Sequence, residues 1–371
     1  MKRFFIIATT LLVALGLYAS PRISLLTALP GKDVYTLEGH SGLRILNPET
    51  GQDFTVNWGI FDFNSPNFVY RFTLGQTDYL CAAQSTSQFI GSYVFNGRKV
   101  IEQVLNLDSL QTAALLNLID NNLKPQNRVY RYNYVKDNCA TRPLSFIEKA
   151  LGHKLFSDSL AGTTFRNEMR RFHKEYPWYQ FGIDLSLGTG IDYEISERES
   201  AFAPVTLMSL LNNTDIVSET FEYGKQTIIH ERTPWYATPL FISFIILLLA
   251  IASCFSKHAK WFDSILFGTF FIEGCVLAFL VFISTHEATS PNWLILWLNP
   301  LCIFGAVLPW LKKAKKARIS YFFVNFALII LLIVLVLLLG RGMNPAFWPL
   351  IAADAVRSIA NIQQCKKLQS H

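Results

Sequence analysis

Asp137-Asn138-Cys139-Ala140-Thr141-Arg142-Pro143 sets a cysteine at the start of a helix. Pro143 suits a first helical turn, where its missing N–H costs nothing. Leu144, Ile147 and Leu151 then supply a buried face, and Gly152 ends the run. At such a position the helix dipole and the unpaired N–H groups favour thiolate, so Cys139 is expected to have a depressed pKa. The same N–H groups can stabilise an oxyanion. Two plainer readings stand beside this one. Cys139 can be a structural core cysteine, or it can pair with Cys81, the other cysteine of residues 20–235.

A nucleophilic cysteine needs a base. The candidates are His40, His153, His173 and His230. His153 follows a helix-ending glycine, His173 lies in a charged run and His230 abuts an apolar stretch, so solvated or interfacial roles suit these three. His40 sits in Gly39-His40-Ser41-Gly42-Leu43-Arg44-Ile45, where small residues interrupt a strand pattern and allow close approach by another group. It is the favoured base.

Around these residues the chain alternates. Residues 34–96 are rich in Val, Ile, Thr, Tyr and Phe and read as strands. Asn47-Pro48-Glu49-Thr50-Gly51-Gln52-Asp53 has hairpin-turn chemistry. Residues 99–107 read as a further strand, and Asp108 as the N-cap of a helix carrying Leu110, Ala113, Leu116 and Ile119. Residues 128–135 are expected to be extended. The fold class is therefore α+β for residues 20–235, the expected exported domain.

From Tyr236 onward come five apolar stretches, about 236–255, 263–284, 292–311, 320–340 and 345–363, each about long enough to cross roughly 30 Å of hydrocarbon. They define an expected all-α transmembrane domain over residues 236–371. Lys257 and Lys260, the cluster from Lys312 to Arg318, and Lys366 with Lys367 mark alternate loops and the tail as cytoplasmic. The chain begins Met1-Lys2-Arg3, runs apolar from Phe4 to Tyr18 and offers Ala19 as a cleavage residue, which reads as a signal peptide over residues 1–19. Leu17 at −3 leaves an uncleaved anchor as the alternative. An odd number of spans after an exported domain puts the C-terminus in the cytoplasm, in agreement with the charge rule.

Of the 371 residues, 51% are hydrophobic and 16% charged, against about 25% charged in an ordinary soluble domain, which excludes a disordered or coiled-coil protein. The net charge of +6 does not signal nucleic-acid binding. Residues 236–371 hold eleven Lys/Arg and four Asp/Glu, residues 1–235 twenty-two and twenty-three, so the excess belongs to the membrane segments. No paired-cysteine zinc spacing, HExxH or phosphate-binding glycine loop occurs, and no metal or cofactor is expected. Within the spans, Glu273 is an expensive ionisable group, for which Arg357 is a possible partner. Asp354 and Arg357 are spaced to share a helix face. His286 and Asn292 fall in or beside an outer loop, where they could line a substrate entry.

A histidine on one strand, a polar residue on the next and a cysteine at a helix start resemble the permuted papain-like fold of NlpC-type hydrolases and lecithin–retinol acyltransferase-like enzymes. Gly39-His40-Ser41 with Leu43-Arg44, Asn57-Trp58-Gly59-Ile60-Phe61-Asp62-Phe63 and Asp137 to Arg142 more closely resemble the exported thiol domain of Lnb-type bacterial lipoprotein N-acyltransferases. The similarity extends to Phe181-Gly182-Ile183-Asp184 and to Thr285-His286. It implies an inner-membrane enzyme that moves an acyl chain from a phospholipid, through a Cys139 thioester, to the N-terminal amine of a diacylglyceryl lipoprotein. His40 would be the base and Asn57 the residue orienting it, with Asp53 and Asp62 as alternatives. Arg44 and Arg142 are candidate phosphate grips and Asn138 a candidate for positioning the thiol or oxyanion. For each of these three a structural ion pair or turn role competes. The alternatives to acyl transfer are a permuted NlpC-like hydrolase of cell-wall peptide or lipid ester and a non-enzymatic membrane sensor or assembly factor.

Overall fold

A computed structural model describes residues 21–62, 64–229, 231–340 and 342–367. The expected signal segment, residues 1–19, lies outside them, as do His230 and Arg341. The chain forms two compact units. One holds the chain up to Phe68, Thr77–Gly162 and Ile195–Ile229; the other holds Val69–Gln76, Thr163–Glu194 and the chain from Glu231 onward.

The first unit is built on an antiparallel sheet. Its strands are β1 (Arg22–Ala28), β2 (His40–Asn47), β3 (Gln52–Ile60), β4 (Asp78–Ser85), β5 (Val100–Leu105), β6 (Val129–Arg131) and β7 (Val217–Tyr223), in the order β6-β4-β3-β2-β1-β5-β7. β2 and β3 form the expected hairpin, closed by Gly51 N–H donating to Asn47 O at 3.0 Å. β1, which the sequence reading passed over, is nearly all buried. Thr86–Phe95, expected as strand, is a helix. The Ser85 side chain caps it by accepting from Gln88 N–H, and Gln88, Phe89 and Ser92 follow at helical spacing.

Ser109–Leu123 is the expected helix. Asp108 accepts from Gln111 N–H and the Gln111 side chain returns to Asp108 N–H, a reciprocal box that satisfies two end groups at once. Thr141–Leu151 ends where expected, at Gly152 in the left-handed region, with Leu144 and Ile147 buried against the sheet. Between sheet and helices lies a core containing Leu43, Val56, Trp58, Leu115, Ile119, Leu144 and Ile147. Trp58, fully buried, keeps its indole N–H satisfied by Asn122 Oδ1 at 2.8 Å.

The second unit is helical. Ala259–Phe282 and Lys315–Leu338 are each long and apolar enough to cross a membrane, and Pro239–Ser253 is a shorter apolar helix. Phe347–Lys367 closes the unit. The stretch expected as a third span is not one helix. Single turns at Trp293–Leu296 and Leu308–Trp310 flank the helix Cys302–Val307, because Pro300 and Pro309 cannot continue a hydrogen-bond ladder.

Arg357 is fully buried and pairs with neither Glu273 nor Asp354. Its Nε and Nη2 donate to Asp263 Oδ1 and Oδ2 at 2.6 and 2.9 Å, and Asn361 Nδ2 adds a bond to Asp263 Oδ2 at 3.0 Å. Asp354 instead accepts from Asn325 and Ser358. His286 and Asn292 are structural ties within this unit: His286 Nε2 donates to Phe72 O at 2.7 Å, and Asn292 Nδ2 to Leu185 O at 2.9 Å.

Candidate active site

The antiparallel register sets Gly42 of β2 opposite Asn57 of β3. Continued two residues, it brings His40 across from Gly59, with His40 and Asn57 diagonal neighbours on one face, within side-chain reach. His40 Nε2 and Asn57 Oδ1 are 2.7 Å apart. An amide oxygen only accepts, so Nε2 carries the proton and the Nδ1 lone pair is the basic nitrogen. The alternative orienting residues are placed elsewhere. Asp53 binds Arg44, and Asp62 accepts from Asn64 N–H in the turn after β3.

Gly59 sits at a bulge in β3 with φ +84°. A Cβ there would lie 3.7 Å from Tyr132 Cε2, 3.9 Å from Cys139 Cβ and 4.0 Å from His40 Cε1. The cysteine, the imidazole and a tyrosine ring thus converge on the space that a glycine leaves open. Gly42 serves a different end: a side chain would strike Val56 O and press on Phe89, which packs over this part of β2. The small residues around His40 therefore make room for groups on both neighbouring elements.

Cys139 is held by its backbone as well as by its helix. Ser41 Oγ donates to Cys139 O at 2.7 Å, tying β2 to the residue that carries the thiol. Asn138 is the staple of the loop. Its Oδ1 accepts from Ala140 and Thr141 N–H at 2.8 and 2.9 Å, and its Nδ2 donates to Tyr134 O and Phe202 O. That occupies the helix N–H groups expected to meet an oxyanion. The backbone at Ser41 and at Cys139 itself acts on the thiol instead, in the direction that favours thiolate. Cys139 and Cys81 are both free thiols, so the disulfide alternative is not formed.

The electrostatics also differ from the expectation of a ready thiolate. Burial pushes the Cys139 thiol up to about 11, and the two backbone donors offset this only in part. Burial likewise pulls His40 down to about 4 against the Asn57 hydrogen bond, which acts to raise it. Both groups are held towards their neutral forms, so little thiolate stands at pH 7. Because a raised thiol pKa moves ionisation to higher pH, alkylation of Cys139 by iodoacetamide should climb steadily between pH 7 and 10. A rate already at plateau by pH 6, the mark of a preformed ion pair, would contradict this.

The two arginines expected to grip phosphate are both engaged by carboxylates. Arg44 makes paired bonds to Asp53 at 2.8 and 2.7 Å and a third to Glu102 at 2.8 Å. Arg142 binds Asp137 through Nε and Nη2 at 2.5 and 2.8 Å and lies 3.5 Å over the Tyr130 ring. The sequence reading missed other neighbours of the site. Tyr93 lies 6.0 Å from the His40 ring, and the Arg98 guanidinium lies 4.7 Å over Tyr93. Tyr132 begins an aromatic row, stacked on Tyr79 at 4.4 Å, with Phe61 5.2 Å from Tyr79 and Phe68 5.7 Å from Phe61. The spacing of Tyr79 and Tyr130 on two adjoining strands, with Tyr132 just past the end of the second, was the available signal. Arg98, alone after Asn96-Gly97, offered none.

Two family models match the chain: one described as the Lnb N-terminal periplasmic domain over residues 18–168, the other as the Lnb transmembrane domain over residues 198–368. Together they cover most of the sequence, and the chain belongs to the Lnb family of membrane-anchored, lipoprotein-modifying enzymes. It is an inner-membrane protein with a periplasmic N-terminal domain, as the alternation of basic loops implied. Neither a curated protein nor a solved structure matches it.

Proposed function

We propose that the protein is a cysteine-dependent N-acyltransferase that carries an acyl chain from a phospholipid to the N-terminal amine of a diacylglyceryl lipoprotein. The observation that carries this reading is the convergence of Cys139 and His40 on Gly59, with Asn57 fixing the imidazole tautomer. The strand–strand–helix order of His40, Asn57 and Cys139 is that of a permuted papain-like site.

In this mechanism His40 Nδ1 takes the Sγ proton as sulfur attacks the ester carbonyl, which avoids a standing charge in a buried site. The carbonyl oxygen becomes an oxyanion, for which the backbone N–H groups of Ser41 and Cys139, which favour the thiolate, are the proposed donors. Collapse breaks the ester C–O bond. The imidazolium gives its proton to the departing alkoxide, releasing a lysophospholipid. The lipoprotein amine then attacks the thioester, His40 accepts its proton, and the expelled thiolate is reprotonated. The aromatic row from Tyr132 to Phe68 provides an apolar wall suited to an acyl chain.

The test is incubation with a phospholipid of defined acyl chains, followed by intact-protein and peptide mass spectrometry. A hydroxylamine-labile acyl adduct on Cys139, discharged by a diacylglyceryl-cysteine peptide, is expected. Absence of any adduct, together with unchanged lipoprotein N-acylation in a depletion strain, would overturn the proposal. Altered cell-wall peptides in that strain would favour the hydrolase alternative.

A further inference from the structure

Three arginines are buried among the described residues: Arg98, Arg166 and Arg357. Arg166 is paired with Asp184 and Asp192, and Arg357 with Asp263. Arg98, 6% exposed, forms no ion pair with a carboxylate among the described residues, although the charge of Asp33 acts on it from farther off. Its Nε donates to Leu29 O at 2.7 Å and its Nη2 reaches Ala28 O at 3.4 Å, while no described residue accepts from Nη1. A buried cation with no carboxylate bonded to it is costly, and Asp33 offsets that only from a distance. The fold nevertheless holds this one firmly. Arg98 N–H donates to Tyr93 O at 3.0 Å, and the guanidinium lies over the same residue's ring.

Its position is next to the chemistry. Ala28, whose carbonyl faces Arg98, is the register partner of His40, and Tyr93 stands between the guanidinium and the imidazole, in ring contact with both. The charge of Arg98 acts on both His40 and Cys139. A directly bonded anion delivered by the substrate would complete the site, and a guanidinium with a free N–H edge matches a phosphate oxygen in geometry and sign.

We infer that Arg98, seated on Tyr93, is the anion subsite of the acyl donor and binds the phosphodiester of the phospholipid whose ester is cleaved. This rests on the acyl-transfer reading and deepens it by making a phosphodiester, rather than an ester alone, the recognised feature. Arg44 and Arg142 cannot take that part while their carboxylates hold them.

The experiment uses the full-length protein in detergent with two donors, a phospholipid and an uncharged activated ester. For Arg98→Met, the ratio of kcat/KM on phospholipid to kcat/KM on the uncharged ester should fall by about tenfold to a hundredfold, the usual range for a lost charge-assisted bond. Arg98→Lys should recover part of it. In the wild-type protein, a water-soluble glycerophosphodiester should slow iodoacetamide labelling of Cys139, a readout that does not depend on a variant folding. Equal loss on both donors would overturn the proposal, as would a shifted pH profile of labelling in Arg98→Lys or no protection by the phosphodiester. Those outcomes would make Arg98 an electrostatic or structural residue. If neither donor acylates Cys139 in the wild-type protein, the acyl-transfer reading itself fails.

Discussion

Cys139→Ser should abolish acyl transfer, with a loss of at least about 10⁴-fold in the rate at which a diacylglyceryl-cysteine peptide is acylated. The hydroxyl is isosteric but far less acidic than the thiol, and His40, held as a weak base in a buried site, cannot activate it. His40→Ala should lose nearly as much. With Cys139 at about 11, the thiol then lacks the imidazole that converges with it on Gly59. In the proposed mechanism the two residues act in one proton transfer, so their losses should not be additive and the double variant should be no worse than the poorer single one. Peptide acylation followed by mass spectrometry measures all three. A Cys139→Ser protein retaining a tenth of wild-type activity would remove the thioester from the mechanism, and a further large loss in the double variant would mean that His40 acts elsewhere.

The second large effect concerns stability. Arg357→Leu should leave Asp263 as an unpaired carboxylate inside the helical unit, while Asn361 alone cannot neutralise it. Breaking a buried pair from one side costs about 3–5 kcal/mol, a sizeable part of the roughly 5–15 kcal/mol that holds a typical protein folded. The variant should accumulate poorly and elute as aggregate in fluorescence-detected size exclusion. Replacing both partners by apolar residues, Arg357→Met with Asp263→Leu, should restore much of the folded peak, since the cost lies in the orphaned charge. A single variant that elutes and melts as wild type would refute the assignment.

What could be read from the sequence follows the range of the interactions involved. The Asp108 cap, the Asn47–Gly51 turn and the end of the Cys139 helix at Gly152 are settled by residues within a few positions of one another, and they lie where expected. Cys139 was legible because helix-start chemistry is local, and His40 because small residues surround it; Asn57 came from the family resemblance, since alternation alone does not set a strand's register. The thiol's protonation state was not, since burial by distant residues outweighs the helix terminus. Thr86–Phe95 misled because aromatic and β-branched residues suit strands until a serine cap and a packing partner on the sheet intervene. Arg357 lies 94 positions from Asp263, too far for any spacing argument, so nearer acids were considered in its place. Arg98 could be singled out only once the carboxylates of the other buried arginines had been found.

A protonated thiol at rest has a consequence for life in an oxidising compartment. Peroxide and disulfide-exchange catalysts react with thiolate, and Cys139, its thiol raised by burial, presents little of it at rest. The nucleophile can therefore persist as a free thiol without a dedicated reductant, and Cys81, pushed up to about 12 by burial, is equally inert. Electrophilic inhibitors that rely on a standing thiolate should label the protein slowly. Ester-bearing compounds that let His40 generate the thiolate in place should be the more effective class.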